Sequence, residues 1–261
     1  MRKVFLTCLI SFLLTLGMSP ARTVELDEIL RRGKVIIAVK DNVRPLGFSP
    51  QEGQLQGFEI DVARQLAEEL LGDRQAVILQ PVTNQERLQM MIDGKVDLVI
   101  ARVTVTASRN RLVEFSPYYY LDGTGIVAKQ SYLKGLQGLA NGKIAVLRAS
   151  STIPVIREEF PQAQLIGVNS YQEALTLLEI DAADAFVGDN SVLAGWIQDY
   201  PSYRQFPVRL STEALGVVMP KGLQYSSLRD RVNQAILRWQ KSGWLQKRAE
   251  FWGLPSIIDS K

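Results

Sequence analysis

Arginine, lysine and threonine gather where the apolar runs of this chain end. The clearest case is Thr104-Val105-Thr106, which closes the β-branched run Val96-Asp97-Leu98-Val99-Ile100-Ala101-Arg102-Val103 and is followed by Arg109 and Arg111. The run reads as a buried strand. A strand that ends in small hydroxyl residues, with an arginine a few positions on, is a means of holding a carboxylate. Backbone N–H groups and hydroxyls meet its oxygens, and a planar guanidinium grips it with two parallel bonds. Lys40 closes another run, Val35 to Val39, and leads into the polar loop Asp41-Asn42-Val43-Arg44-Pro45. In open α/β sheets, ligands bind at that end of a strand. Arg102 and Arg148 stand beside two further strand ends. This excess of cations suits an anion.

Catalysis finds less support. The chain has no histidine, which removes the usual general base, the Ser-His and Cys-His nucleophile pairs and most zinc sites. No metal, no cofactor and no enzymatic activity are therefore expected. Gly142-Lys143 is not a phosphate loop: Gln137 occupies the position of its first glycine, and Ile144 stands where Ser or Thr would bind magnesium.

With 261 residues the chain can form one large domain or two of ordinary size. A hydrophobic content of 46% and a charged content of 22% describe a globular protein. Its 30 basic and 27 acidic residues are interspersed, and a net charge of +3 argues for neither a nucleic acid nor an anionic membrane as partner. Residues 1–21 read as a secretory signal peptide: Arg2 and Lys3 precede an apolar stretch from Val4 to Leu16, and Ser19-Pro20-Ala21 offers small residues for cleavage. An uncleaved anchor is the alternative. Cys8 lies inside the apolar run without a lipobox, so the mature chain would carry no cysteine and need no disulfide.

The elements that must position the strand ends alternate. A helix from Val24 to Arg32 and a strand from Val35 to Val39 precede a turn or hairpin over Phe48 to Gln56. A helix follows from Gly57-Phe58-Glu59-Ile60-Asp61 through Leu71, stopped by Gly72, with Glu59 and Asp61 complementing the helix dipole in its first turn. A strand from Ala76 to Leu79 ends at Pro81, and Thr83 or Asn84 caps the helix that carries Arg87. The β-α-β-α-β order predicts a parallel sheet with helices on both faces. Tyr118 to Gly125 is expected to be a loop or crossing segment. A second α/β set then runs through strands at 126–129, 144–147, 165–168 and 183–189, with helices reaching Phe160 and Leu178. An amphipathic helix from Leu228 to Trp244 closes the chain.

Several of these stretches carry a resemblance. VDLVIARVTVTASRNRLVEFSPYY is similar to the "VD-(apolar)-T-x-T-x-x-R … FS-x-P-Y" signature of bacterial periplasmic solute-binding proteins for polar amino acids, family 3, which feed ABC importers. Tyr118 stands where the family proline usually falls. GFEIDVA, ADAFVGD, LGVVMPKG and the terminal FWGL resemble further family segments, so the likeness spans nearly the whole mature chain. The resemblance implies an α/β fold of two lobes, each a mostly parallel sheet flanked by helices, with the ligand cleft between them. One lobe would comprise 22–121 and a C-terminal return at 218–261, the other 124–213. It implies that Arg109 takes a ligand α-carboxylate, helped by Thr104 and the backbone near Ala101 and Thr152, while Asp189 takes the α-ammonium. Lys40 replaces an aspartate usual in binders of neutral and basic amino acids, and Arg87 falls where the family's acidic-amino-acid binders place an arginine. Lys40 and Arg87, with Arg148, would then meet a second carboxylate, Arg102 is a further ligand-binding candidate beside its strand, and the pattern is nearest to aspartate and glutamate binders. A periplasmic monomer that passes a free amino acid to a membrane permease is the resulting expectation. Glutamine or another polar amino acid is the alternative ligand. A dehydratase of prephenate-like acids is the alternative class, with Glu59, Glu86 and Glu158 as its candidate acids.

Overall fold

The computed structural model describes residues 26–50, 53–132, 135–148 and 150–255. The expected signal segment lies outside the described residues. The chain opens with α1 (Leu26–Arg32), β1 (Val35–Val39) and a small hairpin of β2 (Asn42–Val43) and β3 (Gly47–Phe48). Then come α2 (Phe58–Leu71), β4 (Val77–Pro81), α3 (Glu86–Ile92), β5 (Leu98–Ile100), the single turn α4 (Ala107–Asn110) and β6 (Glu114–Asp122). Helix α2 forms because its apolar residues fall on one face, with Phe58, Ile60, Val62, Ala63, Leu66, Ala67 and Leu70 all buried. Gly72 ends it in the left-handed conformation, its N–H donating to the Glu68 carbonyl at 2.8 Å. At the start of α3, Thr83 and Glu86 bond reciprocally: Thr83 Oγ1 accepts from the Glu86 N–H and Glu86 Oε2 accepts from the Thr83 N–H.

The chain then crosses to a second sheet through β7 (Thr124–Lys129), a 3-10 turn at Leu136–Asn141, β8 (Lys143–Leu147), α5 (Thr152–Glu159) and β9 (Gln164–Val168). It continues with α6 (Tyr171–Glu179), β10 (Ala185–Asp189), α7 (Asn190–Asp199) and β11 (Tyr203–Gln205). It returns along β12 (Glu213–Met219) and ends with α8 (Ser226–Lys241) and α9 (Trp244–Phe251). The single terminal helix expected from Leu228 to Trp244 is thus divided: Gly243 takes a left-handed φ of 72°, and a new helix starts at Trp244.

The first sheet has the order β4-β1-β5-β12-β6 and the second β11-β7-β10-β8-β9. Apolar clusters line both faces of each sheet, as alternating strands and helices require. Each sheet is mostly parallel in strand direction, with one reversed strand: β12 in the first and β7 in the second. β1 pairs in parallel with β4 and β5, and β8 with β9 and β10, whereas β12 and β7 pair antiparallel with their neighbours. The antiparallel strands are those that carry the chain between lobes. Tyr118 to Asp122, expected as a loop, belongs to β6, because Tyr119 and Tyr120 are fully buried against Phe58 and the strand pairs with β12. Proline is tolerated here since β6 is the edge strand of its sheet.

The two crossings touch. The Thr124 N–H donates to Ser211 Oγ at 3.0 Å, the Leu210 N–H to the Thr124 carbonyl at 2.9 Å, and a side chain on Gly123 would run into the Ser211 carbonyl. Helix α7 lies across the junction. Its Ala194 packs into the core of the first lobe, Gly195 abuts the Arg44 carbonyl, and Asp199 pairs with Arg44 at 3.3 Å. No described helix is long and apolar enough to cross a membrane.

Asp97 shows how the first sheet is fastened. Only 2% exposed, it accepts from the Ile36 N–H at 2.7 Å and pairs with Arg32, tying α1 to β1 and β5. Replacing it with alanine strands a buried N–H and a guanidinium, so Asp97→Ala is expected to lower unfolding stability by about 1–3 kcal/mol in urea titration, with the denaturant slope unchanged.

Candidate functional site

The strand ends of the first lobe converge on Arg102. This residue follows β5 in a left-handed conformation, φ 50°, which costs a non-glycine residue about 1–2 kcal/mol. Buried charges hold the turn from both sides. The Arg102 N–H donates to Glu59 Oε1 at 2.7 Å, and Arg87 Nη1 donates to the carbonyls of Ala101 and Arg102, each at 2.6 Å. Glu59 is fully buried and also accepts from the Tyr119 hydroxyl at 2.5 Å. Burial pushes its carboxyl above the usual glutamate range, opposed by the Tyr119 and Arg102 hydrogen bonds. Arg87 is drawn down to about 10, by burial first and then by the Arg102 and Arg109 charges.

A pocket of about 510 Å³ opens beside this turn, lined by Lys40, Asn42, Thr83, Glu86 and Arg102 of the first lobe and by Tyr171 of the second. Lys40 is only 4% exposed and donates to the Val82 carbonyl at 2.7 Å. Burial and then the Arg87 charge lower its pKa. A second pocket of about 430 Å³, between Arg44, Phe48, Tyr171, Trp196 and Tyr200, continues along the same seam.

Toward the crossing strands, Thr104 bridges to Leu215 of β12, and its hydroxyl donates to Glu213 Oε2 at 3.3 Å. Half-buried Arg109 folds back on this segment, donating from Nη1 to the Thr104 carbonyl at 2.8 Å, while Thr106 caps the turn of α4 by accepting from the Arg109 N–H. Burial, followed by the charge of Arg102, lowers the Arg109 pKa. From the other lobe comes Asp189, at the end of β10 and the N-cap of α7. Its side chain makes no capping bond; it pairs with Arg102 across the cleft. Asp122 does the capping instead, accepting from the Ser191 N–H at 3.0 Å and from the Ser191 hydroxyl.

Lys40 and Arg102 thus line the pocket, Asp189 reaches it through Arg102, and Arg87 and Ala101 stand behind the turn. Thr104 and Arg109 flank the turn toward the crossings. Thr152 is buried in the first turn of α5 beside Ser150, whose hydroxyl lies 2.9 Å from its own. Arg148 is exposed and lies against Gly167 of β9, outside the lining of either pocket. Sequence reasoning missed Glu213 and Asp122, which carry no local motif, and took Glu59 and Asp61 for dipole residues. Asp61 instead accepts from Trp252 Nε1 at 2.8 Å and from Arg248, fastening α9 to α2. Only the choice of an acid in a first turn that is otherwise apolar hinted at either.

Two mixed α/β lobes joined by paired crossing strands, with charged groups converging between them, define the two-lobed type II periplasmic-binding-protein fold. The comparison with family models is in accord: the chain matches "Bacterial extracellular solute-binding proteins, family 3" over residues 35–255 and belongs to that family. It is 30% identical over 221 residues to the ABC transporter glutamine-binding protein GlnH of Bacillus subtilis (strain 168), covering 84% of this chain and 80% of that one. To the glutamine-binding protein of Geobacillus stearothermophilus it is 32% identical over 200 residues, 76% of each chain. An ancestral cationic amino acid solute-binding protein, AncCDT-1, is similar in structure with a TM-score of 0.75 at 28% identity, covering 87% of this chain and 99% of that one.

Glu213 has a measurable signature. Burial first, then the Asp122 carboxylate, raise its pKa above the ordinary value, and Thr104, Arg102 and Arg109 only partly oppose them. Folding takes up a proton in the window between the two values. The stability from this group is therefore complete below the ordinary glutamate pKa and is lost as pH rises through the raised one. Glu213→Gln, which keeps the Thr104 bond, is expected to be more stable than wild type at neutral pH and to lose this part of the pH dependence in urea titrations carried from below the ordinary glutamate pKa up to neutral pH.

Proposed function

We propose that this chain is a periplasmic capture protein that closes its two lobes on one free amino acid and presents it to an ABC permease. The observation that carries the reading is a meeting of opposite charges between the lobes, the Arg102 guanidinium on one and the Asp189 carboxylate on the other, with Arg109 close enough that, after burial, the Arg102 charge lowers its pKa. An α-amino acid is a zwitterion of matching polarity, and a ligand that touches both lobes shifts the population toward closure. The family and the relatives named for amino-acid binding support the class.

For the side chain, the cations favour an acidic amino acid, glutamate or aspartate. Lys40 and Arg102 line the pocket beside Asp41 and Glu86, with Arg87 behind, and a ligand carboxylate there would meet buried Lys40, whose ammonium is held by the neutral Val82 carbonyl. Glutamine is the second reading, favoured by the names of the two relatives at 30% and 32% identity. The candidate acids speak for capture over dehydration. Glu59 is sealed beneath Arg102, Glu86 is held below the usual range by bonds from Thr83, and Glu158 is exposed on α5. The basic and apolar character of residues 1–21 supports export.

Calorimetric titration of the ligand-stripped protein with glutamate, aspartate, glutamine, arginine and a prephenate-like acid tests the reading. One of the amino acids is expected to bind at micromolar Kd or tighter, and Arg109→Ala to weaken it by about 3 kcal/mol, on the order of a hundredfold. Turnover of the prephenate-like acid, or indifference to Arg109→Ala, would overturn it.

A further inference from the structure

The ion pair between Arg102 and Asp189 joins one lobe to the other inside the cleft, and both side chains are largely shielded, at 17% and 15% exposure. The backbone of Arg102 has no latitude. Its φ is left-handed, its N–H is held by Glu59 and its carbonyl by Arg87. The side chain is not held in this way: its guanidinium meets Asp189, and Arg102 is among the residues lining the pocket with Lys40, Asp41, Asn42, Glu86 and Tyr171. From one fixed Cα the side chain has both within reach.

We propose that Arg102 is the specificity-determining residue and that it reads the ligand by exchange. Paired within the protein, it neutralises Asp189. An incoming ammonium takes over Asp189, and the released guanidinium turns into the pocket to meet a side-chain carboxylate. An acidic amino acid thereby converts one internal ion pair into two intermolecular ones. An amide side chain brings the ammonium but leaves Arg102 with a neutral partner. A dicarboxylate without an amine draws Arg102 away and leaves Asp189 with no cation. Both rejected ligands fail through an uncompensated charge in a closed site, the strongest form of discrimination available to a small pocket. This inference rests on the amino-acid reading above and names the residue that sets its substrate class.

The test is a calorimetric comparison of glutamate, glutamine and 2-oxoglutarate on wild type, Arg102→Gly and Asp189→Asn, each with circular dichroism as a check of folding. Glycine suits the test because it adopts the left-handed conformation without strain; Arg102→Gln is the second variant should the first not fold. Wild type is expected to prefer glutamate over both other ligands by about tenfold or more. In Arg102→Gly, glutamate is expected to weaken by about tenfold while glutamine holds or tightens. In Asp189→Asn, glutamate and glutamine are expected to weaken together. Equal shifts of glutamate and glutamine in Arg102→Gly, or a wild type that takes 2-oxoglutarate or glutamine as tightly as glutamate, would overturn the exchange while leaving amino-acid capture standing. A wild type that binds no amino acid overturns both.

Discussion

The carboxyl group of Glu59 has no exposed surface, and four elements of the first lobe are arranged around it. It projects from the first turn of α2, takes a hydrogen bond from Tyr119 on β6, and takes another from the backbone just beyond β5. Arg87, from α3, lies near enough to pull its pKa down and bonds the carbonyls of the same turn. A buried acid of this kind is tolerated only when its partners are fixed. The cost is met by ordering the very turn that aims Arg102. Glu59 Oε2 and Arg87 Nε remain buried without hydrogen-bond partners among the described residues. The cleft wall is ordered by hydrogen bonds from buried groups on α2, α3 and β6.

Much of this was legible along the chain. Thr104, Thr106 and Arg109 lie within one segment, and their mutual bonds follow from that spacing: Thr106 caps the turn that starts at Ala107, and Arg109 folds back to the Thr104 carbonyl. Strands β1, β8 and β9 and helices α2 and α6 were marked by their apolar runs, and α2 also by Gly72 at its end. What stayed hidden was the long-range pairing. Pro117 and three consecutive tyrosines disguised β6, because its stability comes from β12, about a hundred residues away in sequence, rather than from local preference. For the same reason nothing local marked Glu213, or distinguished Arg102, which reaches the other lobe, from Arg148, which leans on β9.

The crossing region divides two tasks between two aspartates. An aspartate at the head of a helix ordinarily accepts from the first free N–H groups. Here Asp122 performs that office for α7 from the neighbouring strand, through Ser191, and Asp189 is left with its carboxylate facing the other lobe. Asp122 also stands in register with Glu213 on β12, so the two crossing strands carry facing acids at the point where the chain changes lobes. Burial raises the pKa of both. The joint between the lobes is thus held by hydrogen bonds to one acid, with the second acid in register opposite it.

The docking of α7 on the first lobe has an optical consequence. Trp196, on that helix, stacks on Phe186 with ring centres 5.2 Å apart and lines the seam with Arg44 and Phe48. Trp252, on the first lobe, meets the edge of Phe48 at 5.9 Å, and its carbonyl accepts from Gln198 Nε2 of α7 at 3.1 Å. The two indoles therefore bracket the surface along which the lobes meet. Any rotation that parts α7 from β3 changes the packing around the Trp196 indole and breaks the bond to the Trp252 carbonyl, so Trp196 is the chromophore placed to sense the relative position of the lobes.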